Sequence, residues 1–267
     1  MRYFLIYITF AFYVSVEAVV MERLKKSPRI MDIYGHCGFS VMAEVVPTEF
    51  EEVVIHKSGY ASRDAVEERH KDGLRPYNNF TVEEKLGFAL TMAESIADLH
   101  GFEDGVIVHD DIQLCQWLRL PDGTMKLGDF NRATIMEYDV INDKYCKFNN
   151  GEAFGNYRAP EEFAAKDLDE KIDVFSFGNN IYAMLNGLWG FYDLDDDEST
   201  QDALIAGKLP YVDPRWKEMS YIERRLVELM LKCWEFDPDD RVDIFYAVEF
   251  LKQTVSEYNR MKEQEKK

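Results

Sequence analysis

The sequence predicts an α+β chain, with a strand hairpin amid predominantly helical periodicity. Strand-like runs flank the turn Pro121-Asp122-Gly123-Thr124, whereas apolar residues recur at helical spacing from Val82 to His100 and again beyond Leu168. A length of 267 residues, 46% of them hydrophobic and 14% aromatic, suffices for one sizeable core.

The chain opens on MRYFLIYITFAFYVSV, an apolar segment over residues 1–16 with several readings. Arg2, an apolar run from Tyr3 to Val14 and small residues around Val16-Glu17-Ala18 outline a secretory signal peptide. Alternatively the run is a core strand that pairs with Ser40 to Val46, or the chain begins inside a longer protein. It is shorter than the roughly 20 apolar residues of a membrane span. Val45 to Asn79 is polar and charged and reads as a long loop. Thr81 and Glu84 then form a capping box, in which the hydroxyl accepts from the amide three residues on and the glutamate reaches back. Val82, Leu86, Ala89, Leu90, Ala93, Ile96, Ala97 and His100 make one helical stripe that ends at Gly101, with His100 a member of the packed face and not a ligand. Trp117 to Leu120 and Met125 to Gly128 form a hairpin, because proline presets φ at its turn and glycine accepts positive φ. Later helices are predicted within Leu168 to Asn186, apolar and central, and over Thr200 to Ala206, Tyr221 to Phe236 and Val242 to Lys262. Leu226, Leu229, Met230 and Cys233 form one buried face, and Gly207 and Asp213-Pro214 mark turns between helices.

Lys+Arg of 31 against Asp+Glu of 50 gives a net charge of −19. Nucleic acids and anionic membranes bind basic surfaces, so both are excluded as partners of such a surface, while a basic protein partner is permitted. A membrane partner enters only if residues 1–16 act as signal or anchor. Cys37, Cys115, Cys146 and Cys233 show no Cys-x-x-Cys spacing and read as free thiols. Asp193, Asp195, Asp196, Asp197 and Glu198 read as an exposed loop without EF-hand spacing. Asn79-Phe80-Thr81 is a glycosylation sequon, relevant only to a secreted chain.

The hairpin places Asp111 and Asp129 near its two ends, so their carboxylates should approach each other. One can orient a hydroxyl while the other holds Mg²⁺. His109-Asp110-Asp111-Ile112-Gln113-Leu114-Cys115-Gln116 resembles the His-Arg-Asp-Leu-Lys-Pro-x-Asn catalytic loop of the protein kinase family, and Asp129-Phe130-Asn131 resembles its Asp-Phe-Gly. In the same order follow Tyr157-Arg158-Ala159-Pro160-Glu161, similar to the Ala-Pro-Glu end of an activation segment; Asp173-Val174-Phe175-Ser176-Phe177-Gly178, similar to the Asp-x-x-Ser-x-Gly helix start; and Asp237-Pro238-Asp239-Asp240-Arg241. The resemblance implies a protein-kinase-like two-lobe fold with a curtailed small β lobe: the apolar segment 1–16, a partial small lobe and hinge over 17–46, and a large lobe over 47–263.

By this resemblance Asp111 is the catalytic carboxylate and Asp129 the metal ligand. Gln116 stands where the family has its metal-ligating asparagine, and Asn131, tolerant of positive φ, where it has glycine. Glu17 falls on the glutamate that pairs with the nucleotide lysine, Ala43 on the gatekeeper, and Glu44 and Val46 present backbone groups to an adenine. Met21, Ile33, Phe130 and His109 form a stack resting on Asp173, and Glu161 pairs with Arg241. Ala153-Phe154 stands where Ser/Thr kinases usually have Gly-Thr.

The departures from the pattern weigh against chemistry. Asp110 replaces the arginine that receives a phosphorylated activation segment, and Gln113 replaces the lysine beside the transferring phosphate. Residues 1–16 contain neither lysine nor glycine, so neither a glycine-rich loop nor a nucleotide lysine precedes Glu17. The reading is therefore a catalytically impaired kinase-like domain, a pseudokinase or truncated kinase that acts by binding protein in the cytoplasm, with weak or absent binding of ATP and Mg²⁺. The alternatives are an active ATP-dependent kinase of Ser/Thr or Tyr, and a secreted or membrane-tethered interaction protein.

Overall fold

The computed structural model describes residues 15–38, 40–150, 155–164, 166–194 and 196–266. The signal-peptide and core-strand readings of residues 1–14, the comparison at Ala153-Phe154, and Asp195 lie outside the described residues.

The small lobe begins with helix α1 over 15–23, which buries Ala18, Val20 and Met21. Strands β1 (Ile33–Cys37) and β2 (Ser40–Ala43) pair antiparallel, Cys37 opposite Ser40 and Ile33 opposite Ala43. The connection between α1 and β1 is tied to the large lobe. Arg29 donates to both oxygens of Asp98 at 2.9 and 2.8 Å, and Met31 and Arg29 exchange backbone hydrogen bonds with Leu127. Such two-pronged Arg–carboxylate contacts fix orientation as well as distance.

The stretch expected as a long loop between hinge and helix is structured, which corrects that reading. It contains β3 (Thr48–Glu49), α2 (Phe50–Val54) and α3 (Arg63–Arg69). Phe50, Val54 and Val66 are buried in the core, and Ser62 caps α3 by accepting from the Ala65 amide. Sparse apolar residues among many charges gave no periodic signal, yet two short helices need only one buried face each.

Helix α4 (Val82–His100) carries the capping box at Thr81 and Glu84, with bonds of 3.2 and 2.8 Å. After β4 (Ile107–Val108), β5 (Trp117–Arg119) and β6 (Met125–Leu127) form the hairpin, Gly123 taking φ +90° in its turn. β3 adds to the outside of β5, making the sheet order β3-β5-β6. β4 pairs with β7 (Thr134–Ile135), and β8 (Tyr138–Asp139) pairs with β9 (Lys144–Tyr145).

The helical half follows as α5 (Pro160–Phe163), α6 (Lys171–Asn186), α7 (Asp197–Ile205), α8 (Tyr221–Cys233) and α9 (Ile244–Glu265). Every residue of α6 from Ile172 to Leu185 is buried, as befits a helix packed on all sides. Gly178 is required there, since a Cβ would lie 2.9 Å from Trp234 Cδ1 and push α8 away. Leu226, Leu229, Met230 and Cys233 form the buried face of α8. The acidic cluster is not a plain loop: Asp196 caps α7 by accepting from the Ser199 amide at 2.7 Å, Asp197 and Glu198 occupy the first turn, and Asp193 pairs with Arg63 at 2.7 Å. Carboxylates are favoured at that end by the helix dipole. All four cysteines are free, and no described helix is long and apolar enough to cross a membrane.

Candidate active site

The site is built on a buried aspartate at the start of α6. Asp173 accepts from the backbone amides of His109 at 2.8 Å and Asp110 at 3.0 Å, which fixes the loop that carries Asp111. The His109 ring bonds to the Gly128 carbonyl at 3.0 Å and packs on Phe130, centroids 5.2 Å apart. Met21, Ile33, Phe130, His109 and Asp173 are all buried. His100 proves to be more than packing: its Nε2 lies 3.0 Å from Asp173 Oδ2, an interior contact that gives Asp173 a third polar neighbour. Helical periodicity places His100 on the inner face but cannot name the partner it meets there.

Asp129 takes a left-handed conformation, φ 57° and ψ 63°, before the short 3₁₀ turn Phe130–Arg132. The positive φ expected at Asn131 thus falls two residues earlier, on Asp129, because Asn131 lies within the turn and instead donates its amide to the Asp129 carboxylate. Asp129 is exposed, while Glu17 is half-buried; burial and then the like charge of Asp129 push the Glu17 carboxyl up. The Cys115 thiol is pushed up to about 12, first by burial and then by the negative charges of Glu51, Asp111, Glu49 and Asp129. In the hinge, Ala43, Glu44 and Val46 are partly buried. The Glu44 amide donates to the Asp32 carbonyl at 3.0 Å, and its carboxylate takes Lys126 at 2.6 Å, so hinge and hairpin are joined by an ion pair.

Asp111 is crowded with donors. Gln116 reaches it at 2.8 Å and Gln113 at 3.2 Å, both on Oδ2, while the Tyr157 hydroxyl at 2.6 Å and Arg158 at 3.1 Å take Oδ1. The two glutamines that replace the family's asparagine and lysine therefore spend their amides on the carboxylate. With Gln116 buried and turned to Asp111, Asp129 is the exposed donor for a cation, and among the described residues no group of three or more His, Cys, Asp or Glu is arranged to hold a metal.

Asp110 does not leave a hole where the family has arginine. It is buried, at φ 61°, and accepts from Arg132 at 2.9 Å and from the Asn150 amide, with Arg158 3.6 Å away. Burial raises its carboxyl against the opposing effect of both arginines. Arg158 also donates to the Asp110 carbonyl at 2.8 Å and to Glu162 at 2.9 Å. The loop of Asp110 and Asp111 supplies the anion and the segment from Asp129 to Glu161 supplies the cations. Arg132 and Glu162 belong to no sequence motif, and Tyr157 and Arg158 enter the motif only as the residues that precede Ala-Pro-Glu, with no role of their own. The signal that points to them is Asp110 itself, since a buried aspartate requires a nearby cation.

Below the site, Glu161 and Arg241 form a two-pronged pair at 2.6 and 3.1 Å, and Arg241 further donates to the carbonyls of Glu235 and Lys171. This catalytic-loop geometry, the aspartate under it and the closed Glu–Arg pair agree with the match of a family model, described as protein kinase domain, to residues 14–253. The chain belongs to the protein kinase family. Similar kinases include Serine/threonine-protein kinase VIK of Arabidopsis thaliana, 29% identical over 192 residues that make up 70% of this chain and 41% of that protein. Mitogen-activated protein kinase kinase kinase 7 of Drosophila melanogaster is 24% identical over 67% of this chain and 24% of its own length. Serine/threonine-protein kinase 12 of Arabidopsis thaliana is 30% identical over 58% and 32%. The chain spans between about a quarter and two-fifths of the length of these curated relatives.

Proposed function

We propose that this kinase domain is impaired in phosphoryl transfer and acts by binding protein. The observation that carries the reading is the state of Asp111, whose two oxygens accept from Gln113, Gln116, Tyr157 and Arg158. A general base must lie within hydrogen-bond reach of the hydroxyl it deprotonates, and here that reach is taken. Gln113 supplies no charge beside a transferring phosphate, and removal of one preorganised charge-stabilising donor commonly lowers rates by about 10²–10³. The thin donor set around Asp129 supports weak or absent Mg²⁺ and ATP binding. A net charge of −19 favours a basic protein as the partner.

The second reading, an active protein kinase, rests on the presence of both Asp111 and Asp129 and on relatives named as serine/threonine kinases. Two measurements separate them. Under the binding reading, Mg-ATP leaves the thermal midpoint of wild type and Asp129→Ala alike, and no phosphate reaches a generic basic protein. Transfer that Asp111→Asn abolishes would establish the second reading instead.

A further inference from the structure

The Tyr157 hydroxyl stands where an acceptor hydroxyl has to stand, 2.6 Å from Asp111 Oδ1 and donating to it. Its placement is held from several sides. Asn179 of α6 donates to the Tyr157 carbonyl at 2.7 Å, which anchors the backbone. The neighbouring Asn180 holds the Ile112 carbonyl at 3.1 Å, so one helix positions both the tyrosine and the loop it meets. Arg158 lies against the same Asp111 oxygen at 3.1 Å, with its guanidinium 5.1 Å from the Tyr157 ring centroid.

Arg158 is drawn there by charge. It donates to Glu162 and to the Asp110 carbonyl, and the Asp110 carboxylate lies 3.6 Å away. An arginine at position 110 would repel this guanidinium, whereas aspartate attracts it. The same substitution that removes a phosphate-receiving cation therefore supplies the anion that turns Arg158, and Tyr157 beside it, inward.

We propose that Tyr157 and Arg158 form an autoinhibitory stopper on Asp111, set by the reversed charge at Asp110, which any acceptor hydroxyl must displace. This deepens the binding reading and rests on it for the role given to Asp111. Burial pushes the Tyr157 phenol above its ordinary range, which keeps its proton available to the carboxylate.

Carbodiimide-driven amidation of carboxylates on the full chain, without nucleotide and read residue by residue by mass spectrometry, tests the stopper. The exposed Asp129 serves as the internal reference and the buried Asp173 as the indicator that the fold is intact. Asp111 should react more slowly than Asp129 in wild type. Tyr157→Phe should speed it roughly tenfold, the effect of losing one hydrogen bond to a charged group. Asp110→Asn should speed it as well, by releasing Arg158. Equal rates at Asp111 and Asp129 in wild type would overturn the proposal, as would an unchanged Asp111 rate in both Tyr157→Phe and Tyr157→Ala with Asp173 still protected. If Tyr157→Ala exposes Asp173, the Phe variant decides alone. Wild-type phosphate transfer lost in Asp111→Asn defeats the binding reading, whereas the labelling, run without nucleotide or acceptor, decides the stopper by itself.

Discussion

Glu161 and Glu162 are adjacent in one short helix, both are buried, and both pair with an arginine, yet their surroundings differ in kind. Glu161 has Arg241 to itself, at 2.6 and 3.1 Å, and the remaining donors of that arginine go to neutral carbonyls. Glu162 receives Arg158 at 2.9 Å and the Ala159 amide at 2.6 Å, but Arg158 is shared with Asp110 and Asp111. Arg132, the other cation of that cluster, serves Asp110. Burial, reinforced by Asp110, pushes the Glu162 carboxyl up to about 7 despite Arg158. A buried ion cluster thus retains a proton near neutrality when its carboxylates outnumber its guanidiniums, whereas a matched pair is charge-balanced.

The largest expected effect falls on the matched pair. Arg241→Ala would strand Glu161 as an uncompensated buried charge and cost about 3–5 kcal/mol in denaturant unfolding. A loss below about 1 kcal/mol, typical of exposed pairs, would break the comparison. Next comes the pH response of the unbalanced cluster. Because the folded carboxyl of Glu162 titrates at about 7 and the unfolded one at 4.5, its contribution is fully present below 4.5 and is lost as pH rises through 7. That difference amounts to roughly 3 kcal/mol, so the stability of wild type relative to Glu162→Gln should decline across this window. A flat difference curve would show that Glu162 titrates normally. A smaller effect is expected for Arg132→Ala, about 1–3 kcal/mol, since Asp110 keeps Arg158 after losing its other guanidinium. That variant should also steepen the pH response by leaving the cluster shorter of positive charge. Thr81→Ala lies in neither cluster and removes the N-cap of α4; a loss of about 1 kcal/mol with the response between pH 4.5 and 7 unchanged sharpens the contrast.

Much of this frame is legible along the chain. The capping box at Thr81 and Glu84, the turn at Gly123 and the apolar face of α8 all depend on residues a few positions apart, and local rules reach that far. The ordered motifs around Asp111, Asp129, Glu161, Asp173 and Arg241 likewise point to one loop, one helix and one buried pair. What escaped was of two kinds. Short helices between residues 46 and 79 carry too few apolar residues to show a period, although Phe50, Val54 and Val66 fill the core. Polar partners also escaped, because nothing near His100 in the chain announces Asp173, 73 residues away.

Asp110 and Asp111 mark the border between the two kinds of information. Residue order alone identifies the loop they belong to and shows that one has replaced an arginine, which reads as a loss of charge. Tertiary packing turns that loss into an attraction, since it brings Arg132 and Arg158 from 22 and 48 residues away onto Asp110 and lays Tyr157 on Asp111. The physical reason is range. Propensity, capping and turn chemistry act within a few residues, whereas the state of a carboxylate is set by every charge and donor within a few ångströms in space, wherever each lies in the chain.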